Sequence, residues 1–412
     1  MSTPTPGVRG ETIFTPRFFL MCGFTFTVFL SLFQLIPTAP FHVRDLGGGP
    51  LASGLFLGAL TFASAWSAPF TGAFADRIGR RKTLIIASLG LAAFTASYAF
   101  IENYRLLLAL VLAHGIVWSS LLVASAAYLT GVLPAARRGE GIAYWGLASV
   151  LAATVAPSVG FWVYAHGWAW LCAVTTALNL TMAAIALSMV DDRQADPQPH
   201  AHRGGIEWHV VALSAPLFLY SYSYGAVSSF SAVYADALGI RPKTIFLTTL
   251  ALVTLGTRPF TGRFGDRIGY RRIFLPSLAV IAVGVAALAL SSTRAGLMAS
   301  AAIFALGFGT AYPAFAAWVM RDVGEARRGA AFGAILAAFD TGIGAGSTTT
   351  GWLIGKAGFT AAFGTAAALA ALALPVFLLV ERRFAHVPRD AHGPEAVPPP
   401  GDPLFSPASF EE

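Results

Sequence analysis

Of the 20 acidic side chains in the chain, one, Asp340, stands deep inside a long apolar stretch. It lies between Arg328 and Lys356, within Phe339-Asp340-Thr341-Gly342-Ile343-Gly344-Ala345-Gly346. A charge at the middle of a bilayer costs about 2.5–3.5 kcal/mol even on the lenient insertion scale, so an acid kept there is a functional candidate by default. Three roles are open to it: taking up and releasing a proton or cation, touching a substrate, or a structural role, paired with Arg258 or capping a break in the backbone. The glycines that follow allow close packing around a narrow cavity. His114 sits in another apolar stretch and has two readings, a proton relay or substrate ligand on one side and an inter-helix hydrogen bond on the other. His200, His202 and His209 bring imidazoles together, but no Cys or carboxylate completes a ligand set, so no metal site is expected.

A second pattern is written twice. Pro69 to Arg81 reads PFTGAFADRIGRR and Pro259 to Arg271 reads PFTGRFGDRIGYR, with ten of thirteen positions identical. Ala-Arg-Arg-Gly recurs at the same offset, at 136–139 and 326–329. Both long segments contain G-x-x-x-D-R-x-G-x-R: Gly72, Asp76, Arg77, Gly79 and Arg81, then Gly262, Asp266, Arg267, Gly269 and Arg271. Gly72 and Gly262 are expected to let helices approach closely, and Gly79 and Gly269 to permit a tight reversal that a Cβ would resist. Asp76 and Asp266 place a carboxylate at a membrane edge, where it can meet a helix N-terminus or an Arg.

The elements that must hold these residues follow from composition. The chain has 412 residues, 56% hydrophobic and 11% charged, against roughly 25% charged in soluble domains. The apolar residues come in twelve blocks of about 20, the length that crosses a hydrocarbon core of about 30 Å. The blocks are centred near residues 28, 61, 93, 117, 152, 179, 221, 253, 282, 308, 341 and 370. No alternating strand pattern appears and irregular backbone cannot face lipid, so the blocks are predicted helices of an all-α polytopic membrane protein. Two cysteines, Cys22 and Cys172, lie inside blocks and indicate no disulfide framework. The first block is too long for a signal-peptide core and is expected to be retained.

The net charge of +7 is explained by where the basic residues fall. With a cytoplasmic N-terminus, 20 of the 27 Lys and Arg lie on the cytoplasmic side, which is the positive-inside pattern with both termini in the cytoplasm. The basic balance is therefore not a nucleic-acid footprint. The expected organisation is a cytoplasmic N-terminus at 1–16, a six-helix bundle at 17–190, a cytoplasmic linker at 191–208, a second bundle at 209–383 and a disordered Pro-rich cytoplasmic tail at 384–412. Six helices per half give both halves the same orientation. That predicts a pseudo-two-fold along the membrane normal with a substrate path between halves.

The doubled loop motif resembles the loop signature of the major facilitator superfamily, and the repeat spans both halves. The resemblance implies that Asp76 locks onto the cytoplasmic end of the eleventh helix, and by pseudo-symmetry Asp266 onto the fifth, holding the outward-open state until the halves rock. Leu35-Ile36-Pro37-Thr38-Ala39-Pro40, ending the first predicted helix, resembles the L-P-x-x-P ending of 12-helix drug and solute exporters. Ala156-Pro157-Ser158-Val159-Gly160 in the fifth resembles a diluted antiporter G-P-x-x-G signature. Proline frees a carbonyl and small neighbours let helices slide, so both segments suit a hinge. One position departs from the exporter pattern: Gly115 is preceded four residues earlier by Val111 rather than Arg, with His114 the nearby polar residue.

Aromatic residues stand on the predicted cavity helices: Phe26, Phe29 and Phe33 on the first, Trp118 on the fourth, Tyr220 and Tyr224 on the seventh and Tyr312 on the tenth. With Gln34 as a polar neighbour they would suit an amphipathic organic molecule, including a cation. Arg258 precedes Pro259 and is expected to snorkel or pair with a carboxylate. Asp322 is placed to bind an Arg of the second motif loop, with Val132 at the matching position of the first half. No G-x-x-x-x-G-K-[ST] supports a primary pump, no catalytic constellation supports an enzyme, and no cofactor is expected. The expectation is a monomeric secondary transporter of the bacterial inner membrane, exporting a small organic solute in exchange for protons. A proton-coupled importer, and outside carriers a channel or nutrient sensor, remain as alternatives.

Overall fold

The computed structural model describes residues 12–134, 137–190, 208–321, 323 and 328–384, and for 69, 138, 139, 143, 208, 209, 258–266, 321, 328–330, 332 and 384 it describes the backbone alone. Nearly all of the expected linker and tail also fall outside it. Every regular element among the described residues is an α-helix, the form that lets an apolar chain satisfy its backbone polar groups within one segment. The first half holds α1 (Pro16–Asp45), α2 (Pro50–Ile78), α3 (Arg80–Tyr98), α4 (Tyr104–Val132), α5 (Arg138–Tyr164) and α6 (Trp168–Ser188). The second holds α7 (Trp208–Leu213), α8 (Ala215–Ala237), α9 (Ile245–Ile268), α10 (Tyr270–Leu290), α11 (Arg294–Arg321) and α12 (Arg328–Phe384). α7 and α8 make one span, broken at Ser214, whose Oγ donates to the Val210 carbonyl at 2.7 Å. α12 is two spans joined at Gly358, where φ is 80° and ψ 179°. Each half therefore contributes six spans, and the twelve together form two pseudo-symmetric bundles.

Two local results differ from the sequence reading. α1 does not stop at the Leu35–Pro40 segment; it runs through Pro37 and Pro40 to Asp45. Hydroxyls bond backbone carbonyls along the proline-bearing stretch, Thr38 Oγ1 donating to Gln34 O at 2.6 Å and Ser53 Oγ of α2 to Pro40 O at 3.2 Å. Transmembrane helices tolerate proline where neighbouring helices and hydroxyls support the backbone around it. α8 is too polar to stand among the eight helices whose length and apolarity suffice to cross a membrane. Its serines are turned inward, however: Ser223 Oγ donates to Ala366 O at 3.0 Å, and Ser229 Oγ lies 2.7 Å from Ser347 Oγ.

The repeat is visible in the backbone. Among the described residues six glycines adopt positive φ, and they fall into equivalent pairs: Gly47 with Gly239, Gly79 with Gly269, and Gly167 with Gly358. The ends of α1 and α8 share a capping pattern. Leu46 N donates to His42 O and Gly47 N to Arg44 O, while Leu238 N donates to Tyr234 O and Gly239 N to Asp236 O. Arg44 and Asp236 are thus equivalent positions.

Each half packs its own core. Phe18, Phe24, Phe56 and Tyr98 are fully buried in the first, and Phe246, Phe274, Phe304, Phe315 and Phe377 in the second. Ile343 of α12 crosses into the first core. The halves meet where α2 lies along α12 and where α5 lies along α9.

Candidate functional site

The first span of α12 is built to lie between two neighbours at backbone distance. A Cβ on Gly342 would stand 2.5 Å from the Phe218 carbonyl of α8, and one on Gly344 would stand 2.5 Å from Thr61 Oγ1 of α2. Small residues allow such approach where no hydrophobic driving force separates helices from lipid. Ser347 Oγ donates across the seam to Gly54 O at 2.8 Å.

Asp340 sits on this span, one turn before Gly344. Its Oδ2 accepts a hydrogen bond from Ser64 Oγ of α2 at 3.5 Å, so the acid of one half is joined to a hydroxyl of the other. Ser64 is buried and Asp340 half-buried. The bond is long and neutral in its donor, hence weak and easily given up. Phe339, beside Asp340, packs on Tyr312 of α11 at 4.9 Å between ring centroids. Tyr224 of α8 stacks on Phe308 at 4.4 Å, and Phe308 on Phe339 at 6.0 Å. The second half thus gathers Tyr224, Phe308, Tyr312 and Phe339 beside the acid.

The other aromatic candidates are placed differently. Tyr220 is fully buried against Phe274 and Phe308 within the second core. Phe29 stacks on Phe33 at 5.7 Å and meets Trp118 edge-on at 5.8 Å, forming a cluster in the first half; Phe26 is half-buried on the same helix. Gln34 is fully buried, with Nε2 donating to Leu30 O at 2.9 Å. A Cβ on Gly160 would stand 2.9 Å from Gln34 Cα, so the two proline-bearing segments of α1 and α5 pack directly on each other. His114 is buried on α4 with Nδ1 2.9 Å from Tyr98 OH of α3, between the rings of Phe94 and Tyr98. The contact is an inter-helix hydrogen bond between α3 and α4.

The motif residues divide by function. Gly79 and Gly269 have φ of 96° and 89° and make the reversals that join α2 to α3 and α9 to α10. A Cβ on Gly72 would meet Val123 at 3.7 Å, an ordinary contact, so close approach does not require a glycine there. Arg81 reaches α6 of its own half, Nε donating to Ala186 O at 3.3 Å and Nη2 to Leu187 O at 2.5 Å. Arg271 does the equivalent on α12, holding Glu381 with two bonds of 2.5 and 2.8 Å. These arginines tie the third span of each half to the sixth. Asp76, Arg77 and Arg267 are exposed. The surroundings of Gly262 and the side chains of Asp266 and Arg258 lie outside the description, as does Asp322. Among the described residues no group of three or more His, Cys, Asp or Glu is placed to hold a metal.

At the opposite end from the motif loops the halves are joined by charge. Asp236 accepts from Lys243 at 2.8 Å and Arg241 at 3.3 Å, and Arg44 of α1 reaches it at 3.8 Å. Lys243 also stands 4.6 Å over the ring of Phe41. Ser158 of α5 and Thr248 of α9 share a hydrogen bond of 3.1 Å.

The Major Facilitator Superfamily model matches this chain at residues 20–257 and again at 213–409. The chain belongs to the major facilitator superfamily. A superfamily transporter of Burkholderia mallei (strain SAVP1) is 26% identical over 402 residues, covering 94% of this chain and 97% of the relative. The transporter YhhS of Escherichia coli (strain K12) is 26% identical over 389 residues, 89% of this chain and 93% of that protein. Among solved structures, the nucleoside transporter NupG superposes with a TM-score of 0.69 at 15% identity, over 90% of this chain and 99% of its own. The human organic anion transporter MFSD10 gives 0.66 at 16%, over 88% and 100%. At those identities the likeness is one of fold. As a superfamily member, this chain is a multi-pass membrane transporter of a small solute.

Ser64, Phe308 and Phe339 escaped the sequence reading, because nothing local marks a serine whose partner is 276 residues away. Arg44 and Asp236 could have been found by aligning the helix ends that precede Gly47 and Gly239.

Proposed function

We propose that the chain is a proton-coupled transporter of a small organic solute, working by alternating access, with Asp340 as the carboxyl that takes up and releases the proton. The observation that carries this reading is the Ser64–Asp340 hydrogen bond. It puts the one deeply placed acid on the seam that must part when the halves rock, so the acid's surroundings change with each half-cycle. A titratable group whose environment alternates is what coupling needs. The aromatic rings of Tyr224, Tyr312, Phe308 and Phe339 beside it suit an amphipathic solute, and a carboxylate among rings also suits an organic cation.

The orientation we infer has both termini, the 191–208 linker and the 384–412 tail in the cytoplasm, on the distribution of basic residues. The bacterial relatives support a bacterial membrane, for which we infer the inner membrane. The Arg44–Asp236 contact then lies on the outer side and belongs to a state closed outward. Asp76 and Asp266 are the reciprocal latch on the cytoplasmic side. The direction we infer is export, supported by the packed proline segments of α1 and α5. Two complete six-span halves form the path, so a monomer suffices. One proton crossing 100 mV supplies about 2.3 kcal/mol, roughly a 50-fold gradient.

Everted membrane vesicles carrying an imposed pH gradient, acid inside, test this. A panel of organic cations and neutral amphiphiles is added while the gradient is followed with a fluorescent amine. Export by exchange predicts that a transported solute accumulates and collapses the gradient. Accumulation only in right-side-out vesicles, with protons moving inward, would assign import instead.

A further inference from the structure

At the Arg44 end, the halves leave a cleft of about 630 Å³ between the end of α5 and the turn joining α8 to α9. Phe161, Trp162 and Tyr164 line it from the first half, and Arg241 and Lys243 from the second. The Ser158–Thr248 hydrogen bond lies across it.

Its charges do not balance. Arg44, Arg241 and Lys243 share the single carboxylate of Asp236. A second carboxylate, Asp45, accepts from Tyr164 OH at 2.9 Å, and even with it counted the three cations exceed the acids by one. Lys243 is mostly covered, but the Arg241 side chain is 66% exposed and uses one nitrogen on Asp236. A guanidinium carries five N–H donors, so among the described residues most of its fork is unpartnered, and Arg241 lines the cleft. Beside this charge the wall is aromatic, with Trp162 69% exposed. Tryptophan at a membrane edge sits at headgroup depth, its apolar ring toward the chains.

We propose that this cleft binds the headgroup phosphate of an anionic phospholipid, with Arg241 on the phosphate oxygens and an acyl chain along Trp162 and Phe161. The paired oxygens of a phosphate match the arginine fork, and the aromatic wall continues from the headgroup level toward the membrane interior. A lipid seated there touches both halves. Membrane embedding alone is needed for this proposal, so it stands apart from the direction and coupling of transport.

Native mass spectrometry of the full-length protein tests it, with phosphatidylglycerol and phosphatidylcholine of identical chains titrated from mixed micelles. Wild type is expected to hold phosphatidylglycerol in preference to phosphatidylcholine, and Arg241→Gln to weaken that preference by about fivefold, the worth of one basic side chain at an anionic surface. Arg241→Lys should keep part of it, and Trp162→Ala should lower affinity for both lipids. Arg294→Gln removes a charge outside the cleft and should change nothing. Thermal melting verifies that each variant is folded. The proposal is overturned if folded Arg241→Gln retains the full preference, or if Arg294→Gln loses as much. It is also overturned if millimolar inorganic phosphate displaces the lipid completely, because the site would then recognise the ion alone.

Discussion

Arg44 and Asp236 hold the same position in the two halves, each three residues before a positive-φ glycine, and they meet each other at 3.8 Å across the pseudo-two-fold. Duplication gave the two helix ends one shape, and divergence gave them opposite charges. A contact between equivalent positions lies close to the axis, so it must separate when the halves swing apart at that end. Exposed pairs of this kind contribute about 0.2–1 kcal/mol. Asp236 serves three cations, so losing it should matter more than losing Arg44. With a reporter cysteine at Thr348, on the α12 face that covers Gly58, Asp236→Asn should raise the rate of labelling by an impermeant thiol reagent about fivefold from that side. Arg44→Gln should raise it about twofold. Unchanged rates in both would remove the contact from the gating account.

Arg81 and Arg271 belong to the repeated motif, yet their partners are α6 carbonyls and Glu381 within their own halves. They should therefore act on stability more than on the cycle. Arg271→Ala and Glu381→Gln are each expected to cost about 1 kcal/mol, and the double variant little more than either. Transport per folded molecule should stay within twofold of wild type. Thermal melting of the detergent-solubilised protein, together with transport normalised to folded protein, checks both halves of the statement.

The glycines of the motif separate by geometry. Gly79 and Gly269 stand in a region of φ that a Cβ resists, so Gly79→Ala or Gly269→Ala should cost about 1–3 kcal/mol. Gly72→Ala meets only Val123 at an ordinary distance and should be near neutral. Equal losses at Gly72 and Gly79, measured by denaturant unfolding in lipid–detergent mixtures, would contradict this.

The twelve spans were legible because lipid imposes a length and a composition on every element, and the doubled loop motif exposed the two halves before any contact was known. The reversals at Gly79 and Gly269 were legible for the same local reason. What sequence did not reveal was the pairing across halves. Ser64 carries no local mark, and the hydroxyl that joins Asp340 is chosen by how α2 lies on α12. Tyr220 and Tyr224 are one turn apart on the same face of α8 and both meet Phe308, yet Tyr220 is fully buried and Tyr224 half-buried, a difference of depth along the helix that aromatic composition cannot encode. The extent of α1 was misjudged because packing of α1 against its neighbours carries the helix through Pro37 and Pro40 to Asp45, and no local residue pattern announces that packing.

His114 and Tyr98 form a hydrogen bond within the first half, away from the seam. His114→Gln is expected to lower stability by about 1–3 kcal/mol, the cost of disturbing a buried polar pair. Proton-driven transport, measured per folded molecule at a temperature where the variant is intact, should persist. Its complete loss would move the coupling role to His114.

The most direct test of the coupling proposal is Asp340→Asn, which keeps size and hydrogen-bonding capacity while removing titration. The measurement is made in everted vesicles with a solute that collapses the pH gradient in the wild-type protein. Two rates are compared for each protein: gradient-driven accumulation with its proton flux, and exchange of labelled for unlabelled solute with no gradient present. Protonation of Asp340 is the coupling step in this account, so the variant should lose accumulation and proton flux at least tenfold while exchange of a neutral solute stays within about threefold of wild type. An Asp340→Asn protein that still accumulates solute against its gradient and still moves protons would contradict the account.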